Sequence, residues 1–376
     1  MKPLSYALKE YLWGPCGLKS LVARLAESST TIYPSVHYSE LWIGTHLNGP
    51  SHLVCSKNEE PLPLKSYLGR DLSFLFKILD VDLPLSIQIH PKRELAASLH
   101  LRYPSLYPDP NDKPEMIVTI TDFTCMAGFR PFSEVQTLLS SLPWLSSLVL
   151  KDATSTSEAY ISLLTLTPHQ ISYCVKETLT NGNTEPNTEP KDSSFTLAFS
   201  TFTSLYQQYP SDATIFSPFF LSIWTLPPRQ SLFLPPESIH AYLHGTCIEV
   251  MTPSDNVIRA GLTPKFIDKE ALSIVLCNNN PSDPVLSCGQ QKSRGITLFE
   301  PPFDFSFCQV VLVDLLANQT ENVTIKGNVT ILLALSGSGK VNNQEVSVGN
   351  AFVSVEDSLE IVAGDCEFNL VLCCEK

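Results

Sequence analysis

The sequence predicts a mainly β fold of two jelly-roll barrels with an inserted α-helical segment. Short, β-branched apolar runs separated by turn residues predict strands from Ser35 to Phe129 and again from Ile223 to Val371. Between these two regions, longer helical spacings begin at Pro131. The chain contains 29 prolines against 16 glycines, which favours many short strands and turns over long helices.

The first strand-like region contains two clear apolar runs, Leu83–Ile89 and Met116–Phe123. Between them lies the turn cluster Tyr107-Pro-Asp-Pro-Asn-Asp112, whose proline and aspartate residues interrupt regular pairing. These runs are therefore predicted to be separate strands of one barrel.

The middle of the chain is predicted to be helical. Ser133 is the expected N-cap of a first helix, and residues 157–166 and 199–208 show similar apolar spacing. The stretch 181–194 repeats Asn-Thr-Glu-Pro and is polar throughout, so we predict a flexible surface loop there.

A weak internal repeat suggests the second barrel. Leu226–Val250 and Asn343–Leu372 each alternate strands with short turns, but the second copy has no histidine where the first has His240. One barrel could then be catalytic and the other structural. The expected domains are residues 1–130 with 222–275 (catalytic barrel), 131–221 (helical insertion) and 276–376 (C-terminal barrel).

Composition excludes some classes of function. The net charge of −13 argues against a general nucleic-acid binder, which needs a basic face. The N-terminus lacks the apolar core of a secretion signal, and no apolar stretch reaches the length of a membrane span. The 11 cysteines have irregular spacing and no CxxC, so free thiols are expected. We predict a cytoplasmic protein without a membrane partner, and nothing requires more than a monomer.

Gln88 and His90 are the first candidates for chemistry. On a strand, residues two apart point to the same face, which Ser86 shares, while Ile87 and Ile89 point to the other. This pattern fits a barrel whose interior holds a site. It fits equally a strand with a wet outer face, so the pattern alone leaves both open.

Glu115 and His240 are plausible companions. Glu115 opens an apolar strand and could also be a solvated strand end, and an isolated histidine such as His240 is more often structural. With Gln88 and His90 they offer an amide oxygen, two imidazoles and a carboxylate, a set that suits Zn²⁺. Three other histidines remain alternative ligands: His46, His52 and His100.

Several separate motifs resemble the type I phosphomannose isomerases over nearly the whole chain. They are Glu40-Leu-Trp-Ile-Gly-Thr-His46, Leu85-Ser-Ile-Gln-Ile-His-Pro91, Asn111-Asp-Lys-Pro-Glu-Met116, Gly128-Phe-Arg-Pro131, Tyr209-Pro, Phe216-Ser-Pro-Phe219, His240-Ala-Tyr-Leu243 and Ser254-Asp-Asn-Val-Ile-Arg-Ala-Gly-Leu-Thr-Pro-Lys265. The resemblance implies two cupin barrels with a helical insertion. It also implies an enzyme that interconverts mannose 6-phosphate and fructose 6-phosphate through a cis-enediol, with one Zn²⁺ per chain. The family's zinc ligands fall on Gln88, His90, Glu115 and His240.

The resemblance also suggests roles around the metal. Glu249 is the expected proton-transfer base, with Lys113 as the competing candidate, and Arg259 would stabilise the enediolate. Glu249 could instead be a structural carboxylate paired with Arg259. The expected substrate-binding residues are Ser86 and Lys265 for the phosphate, with Asp255 and Tyr242, although Lys265 could equally be a solvated lysine.

One departure from the family concerns position 112. The family usually has histidine immediately before Lys-Pro-Glu, where this chain has Asp112, so the acid that opens the sugar ring is unassigned. Two other functions remain in view: a non-catalytic cupin that binds metal or sugar, and an iron-dependent cupin oxidoreductase. The second fits Gln88 poorly, since it predicts two histidines and one carboxylate.

Overall fold

The structure is a computed structural model that describes residues 1–54, 60–182, 193–277, 282–302, 305, 307–325 and 327–376. Of the predicted surface loop at 181–194, residues 183–192 therefore lie outside the described residues. In the described part, the helices are α1 (Leu21–Ala26), α2 (Leu64–Leu68), α3 (Arg93–Arg102), α4 (Phe132–Ser140), α5 (Pro143–Val149), α6 (Thr156–Leu164), α7 (Pro168–Asn181), α8 (Ser193–Gln208) and α9 (Lys269–Cys277), with 3-10 turns at Gly17–Lys19 and Ala213–Phe219.

The strands dominate both ends of the chain. Within the described residues they are β1 (Lys2–Leu4), β2 (Ala7–Lys9), β3 (Glu40–Ile43), β4 (His52–Leu53), β5 (Leu62–Pro63), β6 (Leu75–Val81), β7 (Ile87–Ile89), β8 (Glu115–Thr119), β9 (Phe123–Phe129), β10 (Leu221–Leu226), β11 (Gln230–Leu234), β12 (His240–Met251), β13 (Ile258–Gly261), β14 (Val285–Cys288), β15 (Gln290–Ser293), β16 (Ile296–Phe299), β17 (Cys308–Leu315), β18 (Thr320–Thr324), β19 (Thr330–Ser336), β20 (Ser338–Val341), β21 (Gln344–Ser347), β22 (Ala351–Ser354), β23 (Ser358–Ala363) and β24 (Phe368–Glu375).

These strands form three antiparallel sheets. An 11-stranded sheet, called here the site sheet, follows the order β14-β11-β8-β12-β6-β3-β2, and β7 and β9 also pair with β12, extended by β13 beside β7 and β10 beside β9. A nine-stranded sheet has the order β15-β16-β17-β24-β19-β22-β1-β4-β5, and a four-stranded sheet has the order β18-β23-β20-β21. The N-terminal strand β1 therefore pairs with β22, so the first strand of the chain joins the sheet that contains the last strand, β24.

The site sheet packs against the nine-stranded sheet through an apolar core. On β12, Ile248 and Val250 are fully buried in the cluster that also contains Val310 and Ile331 of the nine-stranded sheet. Because side chains alternate along a strand, Glu249 between them points to the opposite face. One face of this strand thus stabilises the fold, and the other is available for chemistry.

The middle of the chain is helical, as predicted. The three predicted helices correspond to α4, α6 and α8, and the helices pack on β7, β9 and β13 through a second large apolar cluster. The expected cap at Ser133 is wrong, because α4 begins at Phe132 with Pro131 as its N-cap. Three helices, α2, α3 and α9, interrupt regions that were predicted to be strands. The run Leu83–Ile89 is a strand only over Ile87–Ile89.

Two further observations concern the described residues as a whole. No helix there combines the length and apolar character that crossing a membrane requires. The ten cysteines in this part of the chain are free thiols, which agrees with the expectation from their spacing.

Candidate metal centre

The long strand β12 organises the candidate site. Its first residue, His240, pairs with Gln88 of β7, and nine residues later Glu249 pairs with Lys77 of β6. Between them, the pairing of β12 with β9 ends at His244 and its pairing with β6 begins at Gly245. The φ of Gly245 is 114°, a backbone conformation that residues with a side chain rarely adopt. A Cβ at Gly245 would also lie 2.4 Å from the Asp122 carbonyl oxygen. Glycine here lets a single strand serve both ends of the site.

Three buried side chains meet beside the start of β12. His90, Glu115 and His240 are at most 2% exposed, and their ligand atoms all lie within 4.8 Å of one another. The Nε2 atoms of His90 and His240 each lie 3.3 Å from an oxygen of Glu115. Both Nε2 atoms and Glu115 Oε2 are buried without a hydrogen-bond partner. Polar atoms in that state are costly unless an ion or another group satisfies them, so the cluster fits a bound metal.

Backbone carbonyls orient both imidazoles toward this point. His90 Nδ1 lies 2.8 Å from the Asn256 carbonyl oxygen, and His240 Nδ1 lies 2.9 Å from that of Ser238. Since a carbonyl only accepts, each Nδ1 carries the proton and each Nε2 presents a lone pair. Burial, aided by the Lys113 cation, lowers the pKa of His90 to about 4, so the ring is neutral at pH 7 as a metal ligand must be.

Glu115 is the anion of the cluster. Its burial works toward a higher pKa, but the Lys113 ammonium, with Nζ 2.9 Å from Glu115 Oε1, outweighs this and holds the pKa well below its usual range. Two imidazoles and a carboxylate match the donor set of zinc sites that keep a position open for water or substrate. His90, Glu115 and His240 therefore form a metal site that suits zinc.

A cavity of about 670 Å³ opens beside the cluster, large enough for a small ligand. Nine of the eleven predicted site residues line it, and the other two, His90 and His240, belong to the metal cluster with Glu115. The nine are Ser86, Gln88, Lys113, Glu115, Tyr242, Glu249, Asp255, Arg259 and Lys265. The structure thus brings together all the residues that the sequence proposed for the site.

Glu249 has different partners from those considered in the sequence. Its Oε2 lies 2.8 Å from Lys77 Nζ and its Oε1 accepts a hydrogen bond of 3.1 Å from the Tyr242 hydroxyl. The structural alternative for Glu249 was an ion pair with Arg259, and the pair is formed with Lys77 instead. Arg259 is half-buried, and that burial lowers the pKa of its guanidinium.

Lys77, Glu40 and Trp42 are pocket residues that the sequence reasoning missed. Lys77 is only 6% exposed. Although burial pulls the pKa of Lys77 down, the nearby carboxylates of Glu249 and Glu40 raise it overall, which keeps the ammonium charged. The Trp42 indole N–H donates to Glu40. The sequence did contain one signal for Lys77, because it lies inside the apolar strand Leu75–Val81. A lysine is rarely buried unless it has a charged partner, so its position predicts a buried acidic partner nearby.

The other candidates lie elsewhere in the described residues. Among them, none of the three alternative histidines joins the metal cluster. His46 Nε2 pairs with Asp255 at 3.4 Å, while His100 Nδ1 bonds the Tyr107 carbonyl oxygen. Asp112 lies 3.3 Å from the Arg93 guanidinium and is not among the residues that line the pocket. The family histidine at position 112 is thus replaced by a residue that faces a surface arginine.

Comparisons with known proteins identify relatives of this chain. Residues 1–132 match the model of the phosphomannose isomerase type I catalytic domain. Human mannose-6-phosphate isomerase is 34% identical over 89% of this chain and 87% of its own length. Mannose-6-phosphate isomerase 1 of Arabidopsis thaliana is 32% identical over 98% of this chain and 91% of its own. The crystal structure of the Salmonella typhimurium mannose 6-phosphate isomerase, bound to its substrate and a zinc atom, superposes with a TM-score of 0.80 and 26% identity over 100% of this chain and 99% of that one.

Proposed function

The chain belongs to the type I phosphomannose isomerase family, and from that premise we propose that its buried metal site interconverts mannose 6-phosphate and fructose 6-phosphate. The enzyme class is that of its relatives, an aldose–ketose isomerase, and the cofactor is zinc. The observation that carries the proposal is the buried triad His90, Glu115 and His240, whose partnerless atoms adjoin a cavity lined by both acidic and basic groups.

We propose Gln88 as the fourth ligand of the metal. Gln88 is paired in register with His240 and lines the pocket, whereas Ile87 and Ile89 are buried in the apolar core. When bound, zinc would supply Lewis-acid polarisation of the sugar oxygens. At the level of the fold, two cupin barrels with a helical insertion, divided at the boundaries expected from the sequence, are the architecture we propose for these sheets and helices.

Glu249 is the proposed base that moves the proton between C1 and C2 by way of a cis-enediol. The Lys77 ammonium lies 2.8 Å from one of its oxygens, and the Tyr242 hydroxyl donates to the other at 3.1 Å. A carboxylate held in place at the pocket wall is what proton abstraction beside a carbonyl requires. Lys113, whose ammonium lies 2.9 Å from Glu115 Oε1, would then act as a fixed cation near the developing enediolate oxygen.

The remaining pocket residues have binding roles in this proposal. Arg259 is half-buried at the pocket wall and would stabilise the enediolate as a second cation. Lys265 is exposed at the rim, where with Ser86 it would bind the phosphate. Asp255, held by the Asn48 side chain at 2.7 Å, would bind a sugar hydroxyl, and Tyr242 holds Glu249 in place.

A coupled assay tests the proposal. The zinc-loaded protein should form fructose 6-phosphate from mannose 6-phosphate, lose this activity with a chelator, and recover it on addition of zinc. Absence of turnover in a folded, zinc-loaded sample would overturn the isomerase and favour a binding protein. If iron rather than zinc restores an oxygen-consuming activity, the oxidoreductase alternative is correct.

Two variants test which residue is the base. Glu249→Gln keeps the shape of the side chain but cannot accept the proton, so it should lower kcat far more than it changes KM. Lys113→Met should raise KM and weaken metal binding as well, because Lys113 supports Glu115. If Lys113→Met alone shows the loss confined to kcat, the base has been assigned to the wrong residue.

A further inference from the structure

One carboxylate outside the pocket joins two loops that serve the metal site. Asp109 Oδ1 accepts hydrogen bonds from the Asn111 N–H (3.0 Å), the Ser254 hydroxyl (2.9 Å) and the Asn256 side-chain amide (3.1 Å). Its Oδ2 accepts from the Asp255 N–H at 3.0 Å. The four donors equal in number the roughly four acceptor positions of a carboxylate.

The first of these loops, residues 109–114, leads directly into Glu115 and carries Lys113. It is tied to the second loop by more than the carboxylate. The Asn256 side-chain amide also donates to the carbonyl oxygens of Asp109 at 2.7 Å and Asn111 at 2.9 Å. The position of Glu115 is therefore linked to the position of Asn256.

The second loop, residues 252–257, reaches both the metal and the pocket. Asn256 is fully buried, and its carbonyl oxygen is the one that orients His90 at 2.8 Å. Asp255, whose N–H is held by Asp109, lines the pocket with its carboxylate between Asn48 and His46. Asp109 thus connects the loop that precedes Glu115 with the loop whose Asn256 carbonyl oxygen orients His90.

We propose that Asp109 is a positioning residue of the metal centre, which fastens these two loops so that Glu115 and His90 converge on one ion. The inference rests on the proposed function in one respect, that the ion is the zinc of this pocket. Asp109 does not line the pocket, so its effect passes through Asn256 and Asp255. Loss of a partner that orients a ligand weakens metal affinity or activity about 10–100-fold.

The test measures zinc binding directly, by competition with a chromophoric chelator, on the full chain. Asp109→Ala should weaken zinc binding about 10–100-fold, and the visible bands of the cobalt-substituted protein should change because the ligand geometry is loosened. Asp152→Ala is the matched control, an exposed aspartate of the helical segment that should leave both readouts unchanged. A purely structural role predicts an equal loss of thermal stability in the apo and zinc-loaded proteins with unchanged zinc affinity, and that result would overturn the proposal.

Two further variants keep the test decisive if Asp109→Ala folds poorly. Asp109→Asn can retain an oxygen for the three donors at Oδ1 but presents an amide N–H toward the Asp255 N–H. Asp109→Asn should weaken zinc binding less than Asp109→Ala does, and it should raise KM because it disturbs Asp255. Asn256→Ala acts on the same link, so its effect on zinc affinity should not add to that of Asp109→Asn. Fully additive effects would show that Asp109 works by another route.

The same measurements separate this inference from the proposed function. Wild-type protein that binds no zinc, or binds it without isomerising mannose 6-phosphate, contradicts the proposed function. Wild-type protein that does both, beside an Asp109→Ala variant with unchanged zinc affinity and cobalt spectrum, contradicts only the role of Asp109.

Discussion

The two halves of the weak internal repeat use similar strands for opposite purposes. In the site sheet, β12 begins with His240, which is 1% exposed and belongs to the metal cluster. In the C-terminal copy the corresponding stretch is Asp357-Ser-Leu-Glu360, whose last three residues open β23, and Glu360 is exposed to solvent. The preceding serine is buried at Ser238 and exposed at Ser358. A similar strand pattern therefore supports chemistry only where it directs polar side chains inward.

The interiors differ in the same way. The pocket side of the site sheet buries Lys77, Glu115 and Glu249, each with a charged partner. The C-terminal core, a cluster of buried residues that includes Leu332 and Phe368, consists of aliphatic side chains, phenylalanine and one cysteine. Buried charges are expensive unless they are paired, whereas apolar burial stabilises at about 25 cal/mol per Å². The C-terminal core therefore stabilises the fold by apolar burial, whereas the pocket side of the site sheet buries paired charges.

The largest loss of activity should come from replacing His240, the metal ligand that the C-terminal copy of the repeat lacks. His240→Ala takes away a metal ligand, and the loss of several kcal/mol of charge stabilisation corresponds to a fall in kcat/KM of about a thousandfold or more. Elemental analysis measures the loss of zinc, and the coupled assay measures the fall in kcat/KM. The matched change in the other copy, Glu360→Ala, should alter neither, and an equal effect at the two positions would contradict the assignment.

The next effect concerns the buried Lys77–Glu249 pair. Lys77→Met leaves the Glu249 charge buried without its partner, which should destabilise the fold by about 3–5 kcal/mol in urea unfolding. The double variant Lys77→Met with Glu249→Gln removes the stranded charge, so stability should recover while activity stays lost. A double variant that is no more stable than Lys77→Met would show that Lys77 matters for packing rather than for charge.

Only some of the residues of the candidate site could be predicted from the sequence alone. Gln88 and His90 were identified by their spacing of two on one strand, which is a local property. Glu115 and His240 were only plausible companions, because their meeting depends on β12 pairing with both β7 and β8, contacts between residues more than a hundred positions apart. The family resemblance supplied that link. Nothing in the sequence identified Lys77 as the partner of Glu249.

The fold, like the site, was predictable only where local sequence signals determine it. Apolar periodicity correctly separated the strand regions from the helical segment, since both periods are local signals. It missed α2, α3 and α9, which are short and lie within strand-rich regions. It also did not show that β1 pairs with β22, or that β14 joins the site sheet beside β11. Such pairings are set by tertiary packing, and the domain boundaries expected from the sequence stay a prediction.

A smaller effect, on stability alone, is expected in the C-terminal core. Leu332 is fully buried there, so Leu332→Ala should destabilise the protein by about 2–5 kcal/mol through lost burial and a residual cavity. Zinc affinity and kcat of the folded protein should not change. Leu316→Ala, at a leucine that is 49% exposed, is the control and should change stability little. A loss of kcat in folded Leu332→Ala would mean that the two regions are coupled.

The smallest effect should be a pH dependence at the junction of the two regions. Glu375, at the end of β24, accepts hydrogen bonds from Arg70 and from the Ser73 N–H at 2.8 Å. Burial pushes the pKa of Glu375 up, but these donors outweigh it and hold the pKa below its ordinary value. A carboxyl whose folded pKa is depressed stabilises the fold above its unfolded pKa of about 4.3, and that contribution is lost as the pH falls through the lower folded value.

Glu375→Gln should therefore be less stable than wild type at pH 7 in urea unfolding, and the difference should shrink as the pH falls below about 4. Glu360→Gln is the matched control, since Glu360 is exposed on the preceding strand β23. A gap between wild type and Glu375→Gln that stays constant down to the acid limit would mean that the carboxylate charge is irrelevant at this junction. In that case only the shape of the Arg70 contact matters, and the C-terminal region supports the site sheet through packing alone.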